Sequence, residues 1–328
     1  MPNPKTPARW MVIAAFAAIY LIWGSSYLGI NFAIETIPPL LMGSTRFITA
    51  GLLLIGWVRL RGAPMPSRRQ WIAGAIAGIT LFVFNNGAII TAQNHGFPSG
   101  MSAVLIATVP MWMVLLNWLK PNGRRPSAAV VVGMILGLIG IVLLISPDQA
   151  AGAGQSDMLL GAGLVLFAAF AWAAGSLYGR GASLPTSPQL SSGVQLFTGG
   201  IALLLISLVT GDAAQLDLAA ISARSLAALV YLTIASSIVA FGAFIWLMRT
   251  VQPARVATYA YVNPVVAMFL GWLLANEALT PRMLIASGII ILAVVIINSG
   301  RLISTDTLVR LHLLPARPPR VQKDVTAA

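Results

Sequence analysis

Several polar and aromatic side chains lie in otherwise apolar stretches of this chain, where they suit the binding of a small molecule without a covalent reaction. The set comprises indoles, phenols, amides and hydroxyls: Trp23, Ser26, Asn85, Asn86, Trp172, Ser176, Tyr259, Tyr261 and Asn263. Buried amides hydrogen-bond amino and carboxyl groups, and aromatic faces hold an apolar side chain or a cation. The alternative for each residue is a helix–helix hydrogen bond or an interfacial anchor. We interpret the set as a candidate substrate-binding site.

One charged residue, Arg46, also stands inside an apolar stretch. A charge near the middle of a bilayer costs about 2.5–3.5 kcal/mol on insertion scales, so such a residue usually faces the protein interior or water. Arg46 has two possible roles. It captures a substrate carboxylate, or it is a structural clamp that pairs with Glu35 or a helix-end carbonyl. The structural role is favoured because its partner in the internal repeat described below, Gln195, is uncharged.

Several kinds of chemistry are missing from the sequence. The chain has no cysteine, which excludes a thiol nucleophile and thiolate metal sites. No aspartate or glutamate lies in the middle of an apolar stretch, so a carboxylate proton relay has no residue to use. His95, in a short polar turn, is interpreted as structural. Gly-x-Ser-x-Gly elbows, histidine clusters and phosphate-binding loops are absent as well. We predict no enzymatic activity, no cofactor and no metal site.

The composition indicates that a lipid bilayer positions these residues. Hydrophobic residues make up 58% of the 328 residues and charged residues 9%, against roughly 25% charged in an ordinary soluble domain. Apolar stretches of about 20 residues, the length that crosses a bilayer, lie at 10–34, 38–58, twice within 70–119, and at 127–146, 158–179, 189–209, 225–248, 256–276 and 283–299. We predict an all-α polytopic membrane protein with ten transmembrane helices.

The basic residues predict the orientation of these spans. If the N-terminus is cytoplasmic, 17 of the 20 lysines and arginines fall in cytoplasmic segments, 2 fall outside, and Arg46 lies in a span. Six of the eight acidic residues fall outside. This is the positive-inside pattern, and it predicts that both termini are cytoplasmic. The net charge of +12 is therefore a topology signal, and we predict no nucleic-acid partner.

The chain also partly matches itself after a shift of about 150 residues. Trp23 aligns with Trp172, Gly51 with Gly200, and Pro110 with Pro264. Five spans in each half require that the second half enters the membrane from the opposite side. Inverted repeats of this kind are common in secondary transporters. The predicted division is a cytoplasmic N-terminus (1–9), a first five-helix repeat (10–147), a second, inverted repeat (158–300) and a basic cytoplasmic tail (301–328).

The matched prolines have a possible mechanical role. A proline inside a helix frees a backbone carbonyl one turn earlier and bends the helix. Pro110 and Pro264 are therefore candidate hinges for gating, and the alternative is a static kink that only shapes packing.

Short motifs resemble those of the EamA-type proteins of the drug/metabolite transporter superfamily over residues 10–300. They are Trp23-Gly24-Ser25-Ser26, Ile37-Pro38-Pro39, Arg46-Phe47, the small-residue stretch from Met101 to Pro110, and Tyr261-Val262-Asn263-Pro264 continuing to Asn276-Glu277. One departure is visible. The family often has a Gly-Glu pair after the fourth span, where this chain has Asn122-Gly123-Arg124-Arg125.

The resemblance implies a bundle of two inverted five-helix repeats that exports small metabolites, often amino acids. Together with the missing carboxylates, it predicts alternating-access export of a neutral or zwitterionic solute without carboxylate-based proton coupling. A broad drug exporter is the alternative, and a sugar-nucleotide or sugar-phosphate carrier is less favoured because Arg46 is a single charge. The expected partners are a small-molecule solute and the bilayer of a bacterial inner membrane, with the protein a monomer or homodimer.

Overall fold

The computed structural model describes residues 8–120, 125–144, 155–251, 256 and 258–302, and within these ranges every regular element is a helix. In chain order the helices are α1 (Arg9–Ala33), α2 (Pro39–Leu60), α3 (Arg68–Asn94), α4 (Ser99–Leu119), α5 (Ala128–Leu144), α6 (Gln155–Gly181), α7 (Pro188–Val209), α8 (the consecutive sections Ala223–Tyr231, Leu232–Ala240 and Phe241–Thr250), α9 (Tyr259–Ala275) and α10 (Pro281–Leu302). Most of the predicted segments 1–9 and 301–328 lies outside the described residues.

Most of the described helices have the length and surface of membrane spans. Seven of those described, α1–α4 and α6–α8, are long and apolar enough to cross a bilayer, and α5, α9 and the Pro281–Ile297 part of α10 are apolar over shorter lengths. Large apolar side chains such as Leu52, Val142 and Leu208 are exposed on the outside of the bundle, where lipid is their natural solvent. The prediction of an all-helical polytopic membrane protein is confirmed.

Local sequence signals explain where several helices begin and end. Pro39 occupies the first turn of α2, where its missing N–H costs no helical hydrogen bond. Ser67 and Gln70 form a reciprocal capping box at the start of α3. Asn276 ends α9 in the left-handed conformation, at φ 53°, which asparagine tolerates better than most residues.

Three pairs of corresponding helices in the two halves, α1–α5 and α6–α10, pack against each other, among them α4 and α9. Helix α2 packs along α7, and α5 along α10. A Cβ on Gly51 would lie 2.6 Å from the backbone nitrogen of Phe197, and one on Gly200 would lie 2.7 Å from the backbone nitrogen of Ile48. Because each glycine receives the backbone of the other helix, only glycine fits at either position without displacing a helix.

Other pairings also have a counterpart in the opposite half. Helix α1 packs against α8 and α9, and α6 packs against α3 and α4, which are the same pairings with the halves exchanged. The turns that follow α2 and α7 both contain a glycine at positive φ, Gly62 at 83° and Gly211 at 75°. The internal match seen in the sequence thus has counterparts in backbone geometry.

The third helix of each half contains a π-helical section of nine residues, Ile79–Gly87 in α3 and Leu232–Ala240 in α8. π-Helical sections are rare in proteins, and those that occur are often located at functional sites. The sections carry Asn85-Asn86 and Ser236-Ser237, which are 151 residues apart in sequence. Both pairs face the cavity described next.

Candidate functional site

A central cavity of about 80 Å³ lies between the two halves of the bundle. Its walls come from α1–α4 and α6–α9, and seven of the nine predicted binding residues line it: Trp23, Ser26, Asn85, Asn86, Trp172, Tyr259 and Asn263. The structure therefore brings together residues that are up to 240 positions apart in the sequence.

Arg46 also lines the central cavity, and only 5% of its surface is exposed. Its Nε donates to Oγ of Ser237 at 2.8 Å, and its Nη2 donates to Oγ of Ser236 at 2.9 Å. Its guanidinium carbon lies 4.8 Å from the centre of the Phe47 ring. The pairing with Glu35 that the sequence allowed is wrong, because Glu35 forms its ion pair with Arg224 at 3.3 Å.

The amides of Asn85 and Asn86 are held in place by hydrogen bonds to the backbone. Asn85 Nδ2 donates to the carbonyl of Ala168 in α6 at 2.8 Å. Asn86 Nδ2 donates to the carbonyl of Leu81 and to Oδ1 of Asn85, both at 3.1 Å. With both hydrogens of its Nδ2 used, Asn86 has only its carbonyl oxygen left to offer a ligand.

Trp23 is the centre of an aromatic cluster beside these polar groups. Its ring centroid lies 5.3 Å from that of Tyr259, 6.0 Å from that of Trp172 and 5.1 Å from that of Phe244. Its Nε1 donates to the carbonyl of Ser236 at 3.4 Å. The cavity thus combines a cation, amides and hydroxyls with aromatic faces, which can hold an apolar or cationic group.

Three predicted residues take other positions. Ser176 lines a neighbouring cavity instead. Tyr261 does not line the central cavity, and its hydroxyl donates to the carbonyl of Val294 in α10 at 3.2 Å. Pro110 does not kink a continuous helix, because α4 breaks at residues 107–108 and Pro110 lies in the first turn of the section that follows. Pro264 does lie inside a helix, α9.

The sequence interpretation missed Tyr27, Ser236, Ser237 and Phe241, all of which line the central cavity. The serines stand in an apolar run and have no distinguishing local pattern. The one available signal was their spacing of 151 residues from Asn85-Asn86, which is close to the shift of about 150 residues that relates the two halves.

A larger cavity, which we call the vestibule, has a volume of about 430 Å³ and adjoins the central cavity. Trp172, Phe241 and Tyr259 line both spaces. The vestibule extends past Met113 to Arg180 and Leu184, towards the end of the bundle that also carries Arg59, Arg61 and Arg68. We call this the arginine end. No aspartate or glutamate among the described residues lines the central cavity or the vestibule.

The opposite end, the carboxylate end, is defined by Glu35, Asp212 and Glu277. Ile30, Ile89 and Ile106 lie between it and the central cavity, within an apolar cluster. Beyond them is a polar cavity of about 520 Å³ that includes Glu277 and shares no lining residue with the central cavity. In this conformation the central cavity and this polar cavity are therefore separate.

Glu277, which follows α9, is hydrogen-bonded to the start of α4. Its Oε1 accepts from the backbone nitrogen of Ser99 at 2.8 Å and from Ser99 Oγ at 2.6 Å, and its Oε2 accepts from the backbone nitrogen of Gly100 at 3.0 Å. Asn31 Nδ2 donates to Oε1 at 3.4 Å. A carboxylate at a helix N-terminus satisfies free N–H groups and complements the helix dipole. Glu277 thus joins the two halves at this end.

Asp212 makes a similar connection between α7 and α2. Its oxygens accept from the backbone nitrogens of Leu40 at 3.3 Å and Leu41 at 2.9 Å, and from Ser207 Oγ at 2.7 Å. No group of three or more His, Cys, Asp or Glu residues that could hold a metal is found in the part of the chain that the structure describes.

Comparison with known proteins identifies relatives across most of the chain. The model of the EamA-like transporter family matches residues 9–146 and again residues 159–299. The chain is 35% identical to the "Uncharacterized inner membrane transporter YedA" of Escherichia coli (strain K12), over 94% of both chains. It is 26% identical to the "Probable amino-acid metabolite efflux pump" of the same organism, over 80% of this chain and 86% of the other.

A solved structure has a similar fold. A protein known from its crystal structure superposes with a TM-score of 0.61 at 19% sequence identity, over 88% of this chain and 98% of the other. The resemblance inferred from the sequence motifs is confirmed, and the family consists of transporters, not enzymes. This chain belongs to the EamA-like transporter family.

Proposed function

We propose that this protein is a secondary transporter that exports small neutral or zwitterionic metabolites, most simply amino acids, by alternating access. The observation that carries the proposal is the central cavity, which lies between the two halves and is lined by both of them. A site at the interface of two repeats becomes accessible from one side and then the other when the repeats rock against each other.

The proposed topology is ten spans in two inverted five-helix repeats. Support comes from the two separate family matches, from the helix pairings that persist when the halves are exchanged, and from the equivalent π-helical sections. The concentration of basic residues at the arginine end supports cytoplasmic termini. The location is a bacterial inner membrane, as in the relative from Escherichia coli that carries this description.

The cavity chemistry favours a solute with both polar and apolar parts. Amides, serine hydroxyls and Arg46 supply hydrogen-bond partners, and Trp23, Trp172 and Tyr259 supply aromatic faces. A relative is described as a probable amino-acid metabolite efflux pump, which supports an amino acid as the simplest candidate. The absence of a carboxylate among the described lining residues supports transport without proton coupling through such a group.

A broad exporter of drug-like compounds is the second candidate. The aromatic cluster around Trp23 and the apolar side chains of the vestibule, such as Met113, Leu184 and Met248, favour it. Cationic compounds distinguish the two candidates. The positive charge of Arg46, which no carboxylate among the described lining residues balances, repels them, so their transport would favour the drug exporter.

The test is flux through the purified protein in proteoliposomes. Labelled aromatic, aliphatic, hydroxyl and charged amino acids, one sugar, one nucleotide and one cationic dye are compared with and without a pH gradient. We expect flux of several amino acids that is indifferent to the gradient. Dye flux driven by protons, with amino acids excluded, would contradict both the substrate class and the absence of coupling.

The same assay tests the site. Changing Asn85 and Asn86 together to alanine is expected to lower amino-acid flux about tenfold, the effect of losing roughly 1.4 kcal/mol of binding, with folded yield retained. Asn117→Ala is the matched control, because Asn117 is exposed and its Nδ2 donates within its own helix, to Met113. Unchanged flux in the double variant would remove the pair from the site.

A further inference from the structure

The central cavity contains a cation without a counter-charge. Arg46 lines it and is 5% exposed, and no aspartate or glutamate of the described residues lines the same space. The carboxylate that could have paired with Arg46, Glu35, pairs with Arg224 instead. A buried charge is costly unless it is paired, coordinated or in contact with water.

The hydrogen bonds of Arg46 are also incomplete. A guanidinium has five N–H donors arranged for bidentate contact with a carboxylate. Ser237 accepts from Nε and Ser236 accepts from Nη2, while Nη1 is buried and has no partner. The two serines orient the group, and they leave one nitrogen unsatisfied. A clamp serving stability alone would not require this unsatisfied nitrogen, because removing it from water costs free energy.

The other polar groups of the cavity complement a ligand with a carboxylate at one end. Asn86 has only its carbonyl oxygen left as an acceptor, because its amide hydrogens bond Leu81 and Asn85. An acceptor and the faces of Trp23 and Tyr259 suit an ammonium group. The lining therefore offers a positively charged hydrogen-bond donor, Arg46, for a carboxylate. It also offers other groups that attract an ammonium group.

We propose that Arg46 is the residue that binds the carboxylate of the transported solute, with Ser236 and Ser237 holding the guanidinium in position. The assignment deepens the proposed function and rests on it to the extent that the solute enters the central cavity. It restricts the substrates to compounds with a carboxylate. It also places the substrate charge against α2 of one half and α8 of the other, so that binding acts directly on their interface.

The experiment measures equilibrium binding to the purified protein in nanodiscs with three compounds. L-valine has both charged groups, L-valinamide lacks the carboxylate, and 3-methylbutanoate lacks the ammonium. The wild-type protein is expected to bind L-valine and 3-methylbutanoate more tightly than L-valinamide. Arg46→Gln should weaken binding of the two carboxylates roughly 10- to 100-fold, the range for one hydrogen bond to a charged group, and leave L-valinamide binding unchanged.

Two further variants separate binding from folding. Arg61→Gln makes the same chemical change at an exposed arginine that stacks on Trp57, and should alter no affinity. Arg46→Lys keeps the charge without the planar fork, and should retain a weakened preference for carboxylates. If Arg46→Gln does not fold, two other results test the role of Arg46. They are the preference of the wild-type protein for carboxylates over L-valinamide and the reduction of that preference in Arg46→Lys.

The outcomes distinguish this inference from the proposed function. Binding of 3-methylbutanoate but not of L-valine would contradict the amino-acid assignment and support the role of Arg46. Amino-acid flux without any preference for a carboxylate over its amide would overturn the role of Arg46 and leave the transport function standing. A preference that survives in folded Arg46→Gln, or binding of none of the three compounds, would also overturn it.

Discussion

At the carboxylate end of the bundle, acidic side chains connect the two halves, whereas the described part of the arginine end has no such connection. Glu277 joins the end of α9 to the start of α4, and Asp212 joins α7 to α2. None of the described acidic residues lies at the arginine end. The cavities follow the same division, because the vestibule adjoins the central cavity from the arginine end and Ile30, Ile89 and Ile106 lie on its other side.

The difference means that the two ends of the proposed two-fold arrangement are held together unequally. Glu277 has no acidic equivalent after α4, where the sequence has Asn122-Gly123-Arg124-Arg125; residues 121–124 lie outside the described ranges. A backbone that is nearly exchangeable between halves would favour neither side of the membrane. Hydrogen bonds that join the two halves at one end, such as those of Glu277, favour closure of that end. With the arginine end cytoplasmic, as proposed, this conformation places the vestibule on the cytoplasmic side, from which the proposed exporter would take its solute.

Removing Glu277 should have the largest effect on this asymmetry. Glu277→Ala leaves the backbone N–H groups of Ser99 and Gly100 without their acceptor, and we expect the free energy of unfolding to fall by about 1–3 kcal/mol. The connection that favours closure is lost at the same time. The carboxylate end should then open more often.

Labelling measures the opening directly, because the chain contains no cysteine and a single one introduced as Ser26→Cys reports on the central cavity. A membrane-impermeant maleimide should reach it only from the arginine end in the otherwise unaltered protein, and from both ends with Glu277→Ala. Asp217→Ala is the control, since exposed Asp217 accepts only within its own turn, from Ala219. Labelling from one end in both backgrounds would mean that Glu277 is a helix cap without a gating role.

Asp212→Ala should have a smaller effect of a different kind. Losing a cap at the start of α2 lowers the free energy of unfolding by about 0.5–2 kcal/mol. Helices α2 and α7 remain in contact through Gly51 and Gly200, so the labelling of Ser26→Cys should stay confined to the arginine end. Denaturant titration and the same maleimide assay check both statements. Labelling from both ends would show that any broken connection opens the bundle.

The ion pair between Arg224 and Glu35 should contribute least. The two side chains are 53% and 39% exposed, and exposed pairs contribute about 0–1 kcal/mol to stability. We expect Arg224→Gln to lower the free energy of unfolding by no more than this and to leave labelling unchanged, as measured in the same two assays. A larger loss would assign to this pair a role comparable to that of Glu277.

Much of the fold was accessible from the sequence, because apolar runs of membrane length can form little else. Individual site residues were harder to predict. Tyr259 and Tyr261 are two apart, and such residues point about 200° apart on a helix, so one helix face could not present both. The contact of Glu277 with Ser99 depends on how α9 meets α4, which no local pattern specifies. No local sequence pattern predicted the π-helical section Leu232–Ala240, which carries Ser236 and Ser237.

The reciprocal glycine contact between α2 and α7 also has a mechanical consequence. At Gly51 and Gly200 the two backbones touch with no side chain between them, so the helices can neither approach further nor repack by changing rotamers. We expect a movement of one half against the other to turn about this point, which would act as a fulcrum near the middle of the bundle. Displacement then grows with distance from the fulcrum, so a small rotation at these glycines becomes a wide opening at either membrane surface.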